Sequence, residues 1–172
     1  MTRSRVAVLA LVLGSVLAGI LVLVAHHPSG AAGTAAATPR RDPSSLALGV
    51  LHEWDARRAA AYARGSETRL ADLYLAGSAA GAADVRLLRS YRLRGFRVEG
   101  MRTQVLALTV LRRGPDRWTL RVTDRLARAV AVRAGRRLVL PRDTSSTRVL
   151  TMRQAADGRW RMASVQDSRA AS

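Results

Sequence analysis

An aspartate, an arginine and a tyrosine share one face of the segment LHEWDARRAAAYARG, residues 51–65. Drawn as a helix, Leu51, Trp54 and Tyr62 form an apolar stripe, and Asp55 and Arg58 fall on that same stripe between them. Arg58 follows Asp55 by three residues, where the two can pair, and lies one turn from both Trp54 and Tyr62, where it can stack on either ring. A carboxylate, a guanidinium and a phenol gathered away from water can bind a ligand or move a proton. They can equally satisfy one another as a polar network that fixes how the helix meets the rest of the domain. We favour the network.

A matching acid stands in RWTLRVTDRLA, residues 117–127. Strand alternation puts Trp118, Leu120, Val122, Asp124 and Leu126 on one side and Thr119, Arg121, Thr123 and Arg125 on the other. Asp124 is then an acid on an apolar face, and a buried carboxylate needs a partner. Arg58 is the first candidate, followed by Arg102 and Gln104, whereas a bulge in the strand would turn Asp124 outward. The pocket candidates are Asp124, Arg58, Asp55 and Tyr62. Tyr74 and Tyr91 offer further phenols, but no spacing singles one out.

Other chemistries find little support. His52 and Glu53 open like a zinc-protease helix, but the second histidine of that motif would fall at Ala56. His52 is the only histidine beyond residue 27, so a histidine-based metal site has no second imidazole. Neither a glycine-rich phosphate loop nor a Gly-x-Ser-x-Gly elbow occurs, and no metal or cofactor is expected.

The elements that must carry these groups follow from caps and periodicity. Asp42-Pro43-Ser44-Ser45 has the chemistry of a helix start, and the helix it opens runs to about Gly65. A second helix, SETRLADLYLAG, begins at a Ser66 cap and stops at Gly77. A third, ADVRLLRSYRLRG, follows GSAAGA and ends at Gly95, with Asp84, Leu87, Leu88 and Tyr91 as its stripe. Beyond Gly95 the period changes to two. Residues 103–113 and 117–132 flank a Gly-Pro-Asp turn, residues 137–140 form a short strand, and residues 146–154 and 159–165 flank Ala-Asp-Gly, which favours a tight reversal. Three helices followed by an antiparallel sheet define an α+β domain over residues 43–168.

With VLHEWDARRAAAYARG, the LADLYLAGS helix and the late strands in this order, the chain resembles the nuclear transport factor two-like superfamily, especially its SnoaL-like domains, over residues 45–167. The resemblance rests on element order and spacing. It implies a cone: a long first helix across a strongly curved antiparallel sheet, with the Arg58 face looking toward the sheet. Many members carry a small hairpin between the second and third helices, and SAAGAA is too short for one. Some members are dehydratases or isomerases that use an acid in the cone, often with a histidine or tyrosine. Here His52 lies off the stripe.

Ahead of the domain, VAVLALVLGSVLAGILVLVA, residues 6–25, is an uncharged run opening at Val6 and closing at Ala25. Twenty residues as a helix cross about 30 Å of hydrocarbon. Arg3 and Arg5 in the short N-terminus, residues 1–5, place that end in the cytoplasm and the domain outside. The length of the run favours an uncleaved signal anchor over a secretory signal, although LVA at 23–25 and AAA at 35–37 could serve as cleavage sites and would yield a secreted protein. Residues 26–42 read as a Gly/Ala/Pro-rich linker and residues 169–172 as a disordered tail.

All 29 basic residues are arginine and cysteine is absent, a composition typical of GC-rich actinobacterial genomes and one without lipoprotein anchor or disulfide. Base exceeds acid throughout, giving a formal net charge of +17. Aromatic residues are only 4% of the chain and no nucleic-acid motif appears, so anionic lipid or a cell-wall polyanion fits the outer face better than nucleic acid. Arg86, Arg89, Arg92, Arg94 and Arg97 crowd the end of the third helix, beyond what a helix C-terminus requires, and are the candidate partner surface. The expected function is a membrane-anchored, extracytoplasmic, non-catalytic interaction or assembly module, with other envelope proteins as further partners. By fold analogy, one span followed by this cone occurs in a type IV secretion scaffold subunit and in actinobacterial Mce-associated membrane proteins. The alternative is a tethered ligand-binding or lyase-like domain working through Asp124, Arg58 and a tyrosine.

Overall fold

The computed structural model describes residues 42–168, so the expected span at 6–25, nearly all of the linker and the tail lie outside the described residues. Helix α1 spans Pro43–Arg64, α2 Glu67–Ala71 and α3 Ala79–Leu93. They are followed by strands β1 Arg97–Arg113, β2 Arg117–Arg133, β3 Arg136–Val139, β4 Ser146–Gln154 and β5 Trp160–Asp167. All sheet pairings are antiparallel, in the order β1-β2-β4-β5, with β3 also on β2. This is the expected α+β layout of three helices on an antiparallel sheet. Among the described residues no helix is long and apolar enough to cross a membrane.

Proline at the first turn opens α1, but Asp42 makes no side-chain capping bond. The fixed φ of the proline and its missing N–H suit that position without one. The helix ends where Gly65 turns left-handed at φ 63°, its N–H returning to the carbonyls of Ala61 and Tyr62, a conformation glycine adopts without a Cβ penalty. The second helix is shorter than its sequence suggests. Ser66 caps it through Arg69 N–H, but the chain leaves the helix after Ala71 so that Tyr74 can bridge Met162 of β5. The third starts earlier than expected, at a Ser78 cap that accepts from Gly81 N–H, so SAAGAA is mostly the first turn of α3 and holds no hairpin.

Leu51, Trp54 and Tyr62 of α1 are buried against Leu88 of α3 and against Leu120, Val122, Leu150, Met152 and Met162 of the sheet. Fully burying a side chain of this size stabilises by about 1.5–3 kcal/mol. The inward alternation read for β2 holds from Trp118 to Asp124, then breaks at the consecutive buried residues Ala129, Val130 and Ala131. Register shifts in β1, between Glu99 and Arg102 and again farther along, bend the strand pair. Residues 97–102, assigned to no element from sequence, are part of β1.

Candidate functional site

The polar centre of the domain is Asp84 of α3. Its Oδ2 accepts from Arg58 Nε at 2.6 Å and from the Tyr74 hydroxyl at 2.7 Å. Its Oδ1 accepts from Arg58 Nη2 and from the Tyr62 hydroxyl, both at 2.6 Å. A carboxylate has about four lone-pair sites, and donors from the protein itself fill them. The Arg58 guanidinium also lies 5.2 Å from the Tyr62 ring centroid and directs Nη1 toward Met101 Sδ at 3.8 Å.

The electrostatics follow from this packing. Burial alone would push Asp84 upward, but the hydrogen bonds and charge of Arg58, helped by the two phenols, outweigh it and hold the carboxyl below its ordinary range. Burial, then the charge of Asp84, raises both Tyr62 and Tyr74, so they remain protonated donors. Burial works against the Arg58 charge, yet Asp84 raises its pKa overall. The cluster is thus one ion pair with two neutral phenols.

Each group is delivered by a different constraint. Arg58 and Tyr62 are four apart on α1, and Asp84 sits on the buried stripe of α3 with Gly81 and Leu88. Tyr74 is fixed by main-chain bonds on both sides, Met162 N–H to Leu73 O at 2.9 Å and Leu75 N–H to Met162 O at 3.0 Å. Trp54 Nε1 donates to the same Leu73 carbonyl at 2.9 Å, and its ring meets Tyr74 edge-on at 5.4 Å. Gly81 is required by close approach: a Cβ there would sit 2.7 Å from Tyr74 Cβ and Cγ.

Arg58 and Asp124 are therefore not partners, contrary to the sequence expectation. Asp124 faces inward as predicted and is 5% exposed, but it pairs with Arg148. Asp124 stands opposite Ser146 and Arg148 opposite Val122, so the two are diagonal neighbours across β2 and β4. The runner-up partners go elsewhere: Gln104 accepts from Arg125 at 3.0 Å, and Arg102 is exposed opposite Arg128. Tyr62 does join Arg58, through Asp84. The hint for Asp84 was its place on the apolar stripe of α3, but that stripe names no partner. Leu87, read as part of the stripe, is 48% exposed.

Asp55 does not bridge Arg58, whose fork is spent on Asp84; instead it accepts from Thr103 Oγ1 at 3.4 Å. Burial, with the nearby charge of Asp124, outweighs Arg58 and Thr103 and raises its pKa. A raised carboxyl weakens the fold once pH climbs above its unfolded value near 3.9. Asp55→Asn should therefore raise the melting temperature at pH 7, and the gain should disappear below about pH 4. Equal melting shifts at both pH values would show that ionisation of Asp55 carries no penalty.

The arginines at the end of α3 are partly engaged. Glu67 accepts from Arg89 at 2.9 and 2.6 Å and from Arg92 at 2.6 Å. The Arg89 hydrogen bonds, then the charges of both arginines, hold Glu67 below the usual carboxylate range. Arg94 donates to Ser90 O and lies over Tyr91. Among the described residues no group of three histidines, cysteines or acids is placed to hold a metal ion.

The fold class so defined is α+β, with three helices on an antiparallel sheet. No protein-family model and no curated protein matches the chain. Among solved structures it is similar to the intermembrane-space region of the chloroplast protein ARC6, at 14% identity and TM-score 0.52, over 76% of this chain and 100% of that one. It is also similar to ActVI-ORFA from Streptomyces coelicolor, at 13% identity and TM-score 0.49 over 76% and 98% of the two chains. Aln2 from a Streptomyces species follows at 17% identity and TM-score 0.48, over 73% and 93%. At such identities the likeness is one of fold.

Proposed function

We infer that the protein is a membrane-tethered, extracytoplasmic module that works through its surfaces, as an interaction or assembly unit of the cell envelope. The observation that carries this reading is the saturation of the strongest interior acid. Asp84 is held by four hydrogen bonds from Arg58, Tyr62 and Tyr74, while Asp124 accepts one from Arg148. A general acid or base needs a free lone pair or proton within reach of a substrate; a carboxylate with every site occupied is a structural anchor.

The surface that suits an envelope partner lies where α3 ends and β2 turns into β3. Arg133 stacks on Phe96 and sits beside Gly95, while Arg137 reaches Glu99 at 3.5 Å. Arg94, Arg97 and Arg136 share this end, and Leu93, Leu138 and Val139 are 82%, 55% and 72% exposed there. Exposed apolar groups ringed by arginine match an anionic lipid surface, or an acidic polymer, better than plain water. The uncharged run at residues 6–25 behind Arg3 and Arg5 supplies the tether.

Protease added to intact spheroplasts should remove a tag fused to the C-terminus, and the product recovered from the membrane should retain residue 1. A protected tag contradicts the orientation. A mature N-terminus near residue 26 or 38 contradicts the anchor and makes the protein a secreted one.

A further inference from the structure

A second cationic feature is concave and borders the α3 end, where Gly65 lies beside Arg92. The C-terminal half of α1, the segment from α2 to Leu73, and the start of β5 enclose a groove of about 430 Å³. The Leu73–Met162 main-chain bond and a bond from Arg161 Nε to the Asp72 carbonyl at 3.0 Å bring its walls together. Five arginines line it, Arg57, Arg64, Arg69, Arg159 and Arg161, together with Trp160 and a single carboxylate, that of Asp72.

The local ion pairs leave much of this charge uncompensated. Arg161 is bound by Asp157 at 2.8 Å, and Arg57 has only a long contact to Glu53 at 3.5 Å. Arg64, Arg69 and Arg159 form no ion pair among the described residues. Arg57 Nε is buried and has no acceptor from the protein. Burying a donor without an acceptor is unfavourable. Five like charges around one concavity also repel one another unless a counter-charge enters.

We propose that this groove is a binding site for a phosphate-bearing ligand. Phosphate offers several acceptor oxygens and more than one negative charge, which several planar guanidinium forks can share bidentately. Trp160, half-buried and packed on Trp118 with ring centroids 4.7 Å apart, gives the site one rigid apolar wall. Phosphate of this kind can come from a lipid headgroup or from a free phosphorylated compound. The chemistry of recognition is the same, and the site does not depend on how the chain is oriented in a membrane.

The test titrates the full chain, in a zwitterionic detergent at low salt, with inorganic tripolyphosphate by calorimetry. Two variants of equal charge loss stand beside it: Arg69→Gln/Arg159→Gln on the groove, and Arg112→Gln/Arg121→Gln on exposed strand positions of β1 and β2. The parent should show one saturable site, weakened at least tenfold in the groove variant and less than twofold in the sheet variant. No saturable binding to the parent, equal weakening in both variants, or equally tight binding of citrate would each overturn the proposal. Deacylated phosphatidylglycerol then separates the sources. Competition with tripolyphosphate supports a headgroup site, and a lack of competition supports a free phosphorylated ligand. Failure of the protease experiment would leave this result standing.

Discussion

Arg58→Met and Asp84→Leu should each lower the melting temperature by about 10 °C or more, and the double variant should recover part of that loss. Either single change strands a buried partner: an unpaired carboxylate in the first case, an unpaired guanidinium in the second. Removing one member of a buried pair typically costs about 3–5 kcal/mol, while replacing both by apolar groups can approach neutrality. Recovery should be incomplete, because Asp84→Leu also leaves the Tyr62 and Tyr74 hydroxyls without their acceptor. Adding Tyr62→Phe and Tyr74→Phe removes those orphaned donors and should restore more. Strictly additive single effects would show that the four groups do not act as a unit.

The same cluster sets the acid limit of the fold. Asp84 is held below its ordinary range, so its contribution is present at pH values above the unfolded carboxyl range near 3.9. It is lost as pH falls through the lower, folded value. Below about pH 4 the parent should lose stability faster than Asp84→Leu does. Parallel acid limbs in the two proteins would remove Asp84 from the account.

Trp54→Ala should be comparably severe, at about 3–5 kcal/mol by thermal or urea unfolding, because a large buried ring is deleted. The ring is 6% exposed, and it supports both Tyr74 and the Leu73 carbonyl. Trp54→Phe separates these roles. It keeps much of the packing and removes one hydrogen bond, whose net value is about 0.5–1.5 kcal/mol. The Leu73 carbonyl retains its second donor, Met162 N–H, so the smaller end of that range is expected. If Trp54→Ala and Trp54→Phe cost the same, packing around the ring does not govern how Tyr74 is placed.

Periodicity alone determined much of this protein. The 3.6-residue pattern placed α1 and its polar stripe, and the two-residue pattern placed β2 with Asp124 inward. Both features depend on neighbours within one element, and sequence spacing is a direct measure of those. Local chemistry also marked Ser66 as a cap and Asp157-Gly158 as a reversal, with Gly158 at φ 75°. The length of α2 was less accessible, because its end is set by a bridge to Met162, a residue far along the chain.

Partner choice belonged to the tertiary structure. Sequence offered several buried acids and many arginines, and every arginine carries the same charge and the same fork. Whether Arg58 meets Asp55, Asp84 or Asp124 depends on which element crosses α1, at what height and with which register. The packing of α3 brings Asp84 to Arg58, and the β2–β4 register brings Arg148 diagonally beside Asp124. Distance decides such pairs: Coulomb attraction and hydrogen bonding reward approaches of a few ångströms, and the linear order of residues does not specify those.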